Sequence, residues 1–255
     1  MRIIIACVLL VAAGFGLHAC FGKKIEKQRI LVFSATKGFR HGSIGVGKLA
    51  IMKLGKENGF SVDTTESLAY FTQDSLKNYA AVVFLSTTGD VLPHVQQAEF
   101  ERYIQAGGGF MGIHAATDCE YTWPWYGKLV GAYFKSHPQN QKAKLNVRDK
   151  SNISTKHLPD VWERTDEWYN FKVPPTEQEV KVLITIDETS YQGGENGSYH
   201  PMAWYHDYDG GRGFYTALGH DNKSFEDPLY LQHILGAIKY AMGADPESKL
   251  TASIK

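Results

Sequence analysis

The sequence predicts an α/β fold with a mainly parallel sheet, and two observations lead to this class. Short apolar runs at residues 29–34 and 80–85 lack polar alternation, which is typical of strands covered on both faces. Longer segments between them, such as residues 43–58, carry apolar side chains at helical spacing. Strands that alternate with helices are joined by right-handed crossovers, and these crossovers produce parallel pairing.

The individual elements follow from the same patterns and from their stop signals. Gly59 ends the first long helix and Gly107 ends the next, as glycine commonly does at a helix C-terminus. In the first half, the predicted strands are residues 29–34, 60–64, 80–85 and 109–113, and the predicted helices are 43–58 and 93–106. In the second half, we predict a short helix at 126–134, strands at 143–148 and 180–186, a hairpin of 202–206 with 213–218, and a closing helix at 227–242.

The N-terminal segment is predicted to direct export rather than to belong to the fold. Arg2 precedes an apolar run over residues 3–17, which is shorter than the about 20 residues of a membrane-spanning helix. The run ends at Leu-His-Ala-Cys20, which resembles the cleavage site of a bacterial lipoprotein, so Cys20 is the predicted lipidation site. An ordinary signal peptide and a single membrane anchor stay open as alternatives.

These features divide the chain and predict where it resides. The assignments are a signal peptide at 1–19, a tether at 20–28, one domain at 29–245 and a C-terminal tail at 246–255. The expected location is the bacterial cell envelope, with the protein lipid-anchored and facing the periplasm or the outer surface. Membrane contact is then expected through the N-terminal lipid only.

Composition limits the partners and the sources of stability. The formal net charge is zero and no basic block is present, which argues against nucleic acid as a partner. After cleavage and lipidation only Cys119 stays free, so no internal disulfide is expected. Five Trp and fourteen Tyr are more than a core of this size needs, which suits stacking on sugar rings but is also compatible with packing.

Residues 107–118, Gly-Gly-Gly-Phe-Met-Gly-Ile-His-Ala-Ala-Thr-Asp, are the most informative stretch for function. An apolar strand ends here at His114, and Asp118 follows on the same turn. His41 follows the first predicted strand, and His220 follows the last. Because ligands collect at the carboxyl ends of strands in such sheets, we expect these three histidines to meet at one edge. For any single histidine, the alternative is a buried ring bonded to the backbone.

Several motifs together resemble the family named for the trehalose-utilisation protein ThuA. They are Thr-Lys-Gly-Phe-Arg-His41, the stretch that ends at Asp118, Asp-Glu167-Trp-Tyr, His200-Pro-Met-Ala-Trp and Gly-Arg-Gly-Phe-Tyr-Thr-Ala-Leu-Gly-His220. The resemblance covers residues 30–243 and implies a flavodoxin-like three-layer sandwich, similar to class I glutamine amidotransferases. Those enzymes carry a nucleophilic cysteine on the turn after a central strand. Here that turn reads Gly-Ile-His114-Ala-Ala and Cys119 does not restore the motif, so we do not expect an amidotransferase.

The resemblance implies a carbohydrate substrate, in pathways where a sugar hydroxyl is first oxidised to a ketone. We predict an enzyme that cleaves or isomerises simple or 3-keto glycosides or disaccharides, since the ketone acidifies the neighbouring C–H bond. His114 and His220 would act as acid and base with Asp118 as the orienting group, and His41 completes the catalytic set. The predicted substrate-binding residues are Arg40, Trp123, Trp125, His137, Glu167, Tyr169, His200, Trp204 and Arg212. Among these, the four aromatic side chains would stack on sugars, and the two arginines would bind a carboxylate or an oxyanion.

Two questions stay open at this stage. Imidazole and carboxylate groups are also ligands of zinc and similar divalent ions, with His41, His114, Asp118 and His220 as candidates, but the spacing fixes no metal. The alternative to an enzyme is a sugar-binding lipoprotein that has kept the fold without catalysis. A structural partner in a surface complex and a homo-oligomer also stay open.

Overall fold

The computed structural model describes residues 28–244, which form a mixed β-sheet between two layers of helices. The strands are β1 (Arg29–Phe33), β2 (Ser61–Thr65), β3 (Ala81–Leu85), β4 (Gly109–Ile113), β5 (Phe134–Ser136), β6 (Gln141–Val147), β7 (Val161–Asp166), β8 (Asn170–Phe171), β9 (Lys181–Asp187), β10 (Pro201–Tyr208) and β11 (Gly211–Thr216). The helices are α1 (Ile44–Asn58), α2 (Gln73–Leu76), α3 (His94–Gln105), α4 (Pro124–Val130) and α5 (Pro228–Ala241). None of the helices in this range has the length and apolar character needed to cross a bilayer.

The main sheet has two halves with different pairing. Its strand order is β2-β1-β3-β4-β11-β10-β9-β6-β7, and β5 pairs separately with β8. The first five strands of this order run parallel, and each later strand is antiparallel to its neighbour. We call these five strands the parallel half and the remaining four the antiparallel half. The predicted α/β sandwich is therefore confirmed, with an antiparallel extension of the sheet.

Helices cover both faces of the sheet because the two crossovers run in opposite directions along it: β2 is added on one side of β1, and β4 on the other side of β3. The right-handed crossover from β1 to β2 carries α1, and the crossover from β3 to β4 carries α3 to the opposite face. α5 packs beside α1, and α4 contacts β4 and β11. A Cβ atom at Gly109 would overlap the carbonyl oxygen of Ala241, so the glycine that opens β4 permits the close approach of α5.

The second half of the chain differs most from the sequence prediction. The helix predicted at 126–134 is α4, which ends earlier because Gly131 adopts a left-handed conformation with φ of 93°. β7 was not predicted, because its charged and apolar residues give a partly exposed strand with a mixed pattern. The signal peptide, the lipidation at Cys20 and most of the tether lie outside the described residues, and so does the tail.

The antiparallel half curls towards α5 instead of extending straight away from the parallel half. In β7, the ring of Trp162 lies 6.5 Å from that of His233 in α5, measured between ring centroids. The guanidinium of Arg164 lies over the ring of Tyr230 in α5, 5.0 Å from its centroid. Such a cation–aromatic contact is attractive when it is shielded from water. The curl returns the carboxyl end of β7 to the edge where β4 and β11 end.

Candidate functional site

Four side chains converge at the carboxyl edge of the sheet and form what we call the imidazole–carboxylate cluster. It consists of His41, His114, Glu167 and His220, and one nitrogen or oxygen of each lies within 4.8 Å of all the others. Each residue follows a strand that runs in the same direction, namely β1, β4, β7 and β11. This edge is where α/β folds bind ligands.

Three of these side chains form a close triangle of atoms. His114 Nε2 lies 3.3 Å from Glu167 Oε2, and His220 Nδ1 lies 3.1 Å from the same oxygen. The two nitrogens are 3.2 Å apart. Ligands held about 2.1 Å from a tetrahedral metal ion are about 3.4 Å apart, so the triangle has the dimensions of a metal-binding face.

His114 is held in one orientation by the backbone. Its Nδ1 lies 2.8 Å from the carbonyl oxygen of Ala217, and because that oxygen only accepts, Nδ1 carries the hydrogen. Nε2 therefore turns towards Glu167 and His220, with a lone pair when the ring is neutral. This carbonyl, rather than Asp118 as predicted from the sequence, orients the ring.

The backbone at His114 is strained and is held in place by a neighbouring strand. Its φ of 51° is left-handed, which costs a non-glycine residue about 1–3 kcal/mol. The hydroxyl of Tyr215 donates to the carbonyl oxygen of His114 at 2.8 Å. Such strain is concentrated at functional sites, and here it aims the imidazole at the cluster.

His41 completes the cluster from the other side. Its side chain is buried, and its Nδ1 has no hydrogen-bond partner among the described residues. Burial, together with the nearby His114 and His220, lowers the pKa of His41 to about 3. At neutral pH the ring is therefore uncharged and offers a lone pair, as a metal ligand must.

Glu167 is the negative group of the cluster, and it influences its neighbours. Burial acts to raise the pKa of Glu167, but the adjacent imidazoles of His114 and His220 outweigh it and hold this pKa well below its usual value. Burial likewise acts to lower the pKa of His220, but the bond to Glu167 outweighs it and raises this pKa. The second carboxylate oxygen of Glu167 lies 3.1 Å from Nδ1 of His137, a half-exposed ring at the mouth of the cluster.

Asp166, which the sequence analysis did not include among the site residues, connects the two halves of the sheet. Its buried carboxylate accepts the N–H groups of Gly219 and His220, both at 3.1 Å. It also pairs with Arg164 at 3.0 Å. The bonds fix the loop after β11 against the end of β7, where Glu167 follows. In the sequence, the only indication of this role is that Asp166 directly precedes Glu167. Because β7 was not predicted, the partners of Asp166 could not be inferred.

Asp118 lies near the cluster but outside it, and Glu167 supplies the cluster's carboxylate in its place. Its Oδ1 accepts the hydroxyl of Tyr121 at 2.7 Å, and that hydroxyl also contacts the carbonyl oxygen of Phe134 at 3.1 Å. Burial raises the pKa of Asp118, although the bond from Tyr121 opposes this shift. The residue is half-buried and could exchange protons near His114.

The aromatic side chains predicted to stack on sugars are mostly buried. Trp204 is completely buried and donates to the carbonyl oxygen of Val130 at 2.9 Å. Trp123 and Tyr169 are also buried, and the ring centroid of Tyr169 lies 4.4 Å from that of His114. Trp125 donates to Asp209 in the turn between β10 and β11, at the opposite edge of the sheet. Three of these rings pack in the interior and the fourth lies away from the cluster, so none of them presents a free face at the site.

The remaining predicted binding residues also have other partners. Arg40 forms an exposed ion pair with Glu66 at 2.8 Å. Arg212 donates to the carbonyl oxygens of Gly107 and Ala241, at the edge opposite the cluster. His200 is buried, and its Nε2 lies 2.8 Å from the carbonyl oxygen of Tyr169, so it holds the backbone of a residue that packs against His114.

Comparisons with known proteins agree with this fold. A ThuA-like protein from Bacteroides uniformis ATCC 8492 superimposes with a TM-score of 0.72 at 22% identity, covering 86% of this chain and 93% of that one. One from Parabacteroides merdae ATCC 43184 gives 0.69 at 22% identity, covering 86% and 91%. A β-galactosidase from Bacillus circulans sp. alkalophilus gives 0.54 at 13% identity over 85% of this chain and 31% of its own, which shows similarity of fold alone.

Sequence comparison identifies the family. No match is found among curated proteins. The family model described as trehalose utilisation matches residues 29–241, nearly all of the described chain, which supports a carbohydrate-related role. The motifs, the fold and this match agree, and the chain belongs to the ThuA family.

Proposed function

We propose that this protein is an enzyme that acts on glycosides or disaccharides, including 3-keto glycosides, with a divalent metal ion bound at the imidazole–carboxylate cluster. The observation that carries the proposal is the triangle of His114 Nε2, His220 Nδ1 and Glu167 Oε2, with sides of 3.1–3.3 Å. A mixed set of nitrogen and oxygen donors suits zinc and related ions. His41 is proposed as the fourth ligand, because its ring is buried and uncharged and its Nδ1 has no partner among the described residues.

The protein's own groups suit chemistry next to a carbonyl. A bound divalent ion would act as a Lewis acid towards a ketone or hydroxyl oxygen. In a 3-keto glycoside the ketone acidifies the neighbouring C–H bond, so one base and one proton donor suffice for cleavage or isomerisation. His137 and Asp118 are titratable groups with solvent access near the cluster, and we assign them to proton transfer.

Two other chemistries fit this geometry less well. Amidotransferase chemistry needs a reactive thiol, whereas Cys119 is completely buried and burial raises the pKa of its thiol well above the usual value. A conventional glycosidase uses two carboxyl groups on either side of the bond that it cleaves. Here Glu167 bonds to imidazoles on both of its oxygens, so it is already engaged as part of the cluster.

The direct test combines metal analysis with turnover. Protein purified without chelators should contain about one divalent ion per chain, as expected for a single site of this kind. The variants His114→Ala and His220→Ala should lose the ion and the ability to release product from 3-keto glycosides. His94→Ala is the matched control, because His94 contacts Gln97 on α3 and is not part of the cluster.

Two outcomes would contradict the proposal in different ways. If the histidine variants keep both the ion and their turnover, the cluster is not the reactive centre. If the wild type binds saccharides but releases no product with any metal, the protein is a sugar-binding member of its family instead.

We also propose that the protein is exported and anchored by a lipid on Cys20, from the N-terminal pattern. The full-length chain should then partition into membranes, and its N-terminal peptide should carry the mass of acyl chains. Cys20→Ser should abolish the modification. A soluble, unmodified wild-type chain that keeps its first residues would refute this anchor.

A further inference from the structure

Phe39 is a large apolar side chain that remains mostly in solvent, with 67% of its surface exposed. Its ring lies edge-on to His41, with 4.9 Å between the ring centroids. His41 in turn contacts the rings of His114 and His220, at 4.8 and 5.3 Å. An accessible aromatic face therefore lies directly beside the imidazole–carboxylate cluster.

The loop that carries Phe39 is held in place. Thr88 Oγ1 accepts the N–H of Gly38 at 3.2 Å and donates to the carbonyl oxygen of Phe39 at 2.9 Å. The carbonyl oxygen of Thr88 accepts the N–H of Lys37 at 2.8 Å. A binding surface held like this loses little conformational entropy when a ligand binds.

Other exposed apolar residues do not offer the same surface. Within residues 28–244, the remaining large hydrophobic side chains with high exposure are aliphatic: Leu49, Met52, Val95, Val161 and Val173. Trp123, Tyr169 and Trp204 are all less than 10% exposed. Among the Phe, Tyr and Trp side chains of residues 28–244, Phe39 is the one with high exposure, and it lies next to the cluster.

We infer that Phe39 is the platform on which a pyranose ring of the substrate stacks while the polar edge of that sugar faces the cluster. A pyranose has a face of C–H groups and a rim of hydroxyls. Aromatic rings bind apolar faces, and a few well-placed polar groups fix orientation. The inference rests on the proposed carbohydrate function and adds to it the residue that recognises the sugar ring.

The test measures saccharide binding and kinetics in Phe39 variants of the metal-loaded protein. Titration calorimetry with trehalose and with methyl 3-keto-glucoside should show that Phe39→Ala raises Kd about tenfold, equivalent to about 1.4 kcal/mol. Phe39→Trp should bind at least as tightly as the wild type, and Phe39→Leu should be intermediate. KM should follow Kd, while kcat changes less. The matched control is Leu49→Ala on α1, since Leu49 is also 67% exposed.

Each outcome separates this inference from the proposed function. If the wild type binds neither saccharide, the proposed function fails and the platform fails with it. If the wild type binds but Phe39→Ala binds equally well, only the platform is refuted. Metal content should stay unchanged in all Phe39 variants. Loss of the ion in Phe39→Ala would show that the ring serves only to hold His41, which also overturns the inference.

Discussion

The two halves of the sheet contribute to the site in different ways. The parallel half places His41, His114 and His220 at one edge, because β1, β4 and β11 end there. The antiparallel half brings Glu167 to the same edge only because it curls back towards α5. Nitrogen donors thus come from ordinary α/β topology, whereas the carboxylate depends on tertiary packing of a peripheral strand.

This difference separates what local sequence determines from what packing determines. Strand ends in a parallel sheet meet whatever their side chains are. The end of β7 meets them only while Trp162 and Arg164 stay packed on α5 and Asp166 binds the loop after β11. Substitutions in the two halves should therefore have different effects on metal affinity and on the free energy of unfolding.

The largest effect on metal affinity is expected from removing the charge that the antiparallel half contributes. Glu167→Gln should weaken divalent metal binding at least about 100-fold, because even groups that only support metal ligands are worth 10–100-fold. A competition titration against a chelator measures this. Glu163→Gln provides the control, since Glu163 lies in β7 but pairs with Lys142 at the surface. Equal affinities for the two variants would rule out a carboxylate ligand.

The next effect comes from the connection between the halves. Asp166→Asn removes the nearer of the two carboxylates that pair with the buried Arg164, while Asp227 stays at 3.5 Å, so the free energy of unfolding should fall by about 3 kcal/mol. Metal affinity should fall as well, because the loop at His220 is released. Urea unfolding checks the first expectation, with the exposed Asp160→Asn as the comparison. A change of less than about 1 kcal/mol, the usual size for an exposed pair, would mean that the halves do not depend on this contact.

A pH effect should report on the packing of α5. His233 is fully buried between Ser154 and Thr216, and burial lowers its pKa from 6.5 to about 4. The unfolded chain thus binds this proton more readily than the folded one. Stability should fall by about 3 kcal/mol as the pH drops from 6.5 to 4. Urea unfolding at several pH values in this range gives the free energy of unfolding as a function of pH. This dependence should be weaker in His233→Gln than in the wild type, and an equal dependence would show that His233 is not its cause.

The smallest effect is expected at the opposite edge of the parallel half. Arg212→Ala removes bonds to two backbone carbonyl oxygens and should cost about 1 kcal/mol of stability. Metal affinity and saccharide binding should not change, because Arg212 lies at the edge away from the cluster. Calorimetric titration of both ligands checks this, and a loss of saccharide affinity would restore the binding role assigned to Arg212 from sequence.

Much of the parallel half could be predicted from sequence, and the reason is physical. Its strands are continuous apolar runs, and Gly59 and Gly107 mark the helix ends, so the three histidines could be placed at one edge. β7 has only Val161 and Trp162 as apolar residues beside charged and polar ones, and its burial depends on α5, which local periodicity does not show. The role of Glu167 beside these histidines therefore required the structure.

The number of aromatic residues led to a wrong expectation about where they lie. Trp204 and Trp123 were expected on a sugar-binding surface, but both pack in the core with their indole N–H groups bonded. Residue counts do not distinguish buried from exposed rings. Phe39 belongs to the motif Thr-Lys-Gly-Phe-Arg-His41, yet its exposure could be learned only from the folded chain.

The position of β11 has a consequence for the order in which the molecule assembles. This strand pairs with β4 on one side and β10 on the other, although it comes after every other strand within residues 28–244. Until then, the emerging chain holds two separate pieces of sheet with four strands each, β2-β1-β3-β4 and β10-β9-β6-β7. The imidazole–carboxylate cluster can form only after synthesis has passed residue 220, because His220 is one of its four members.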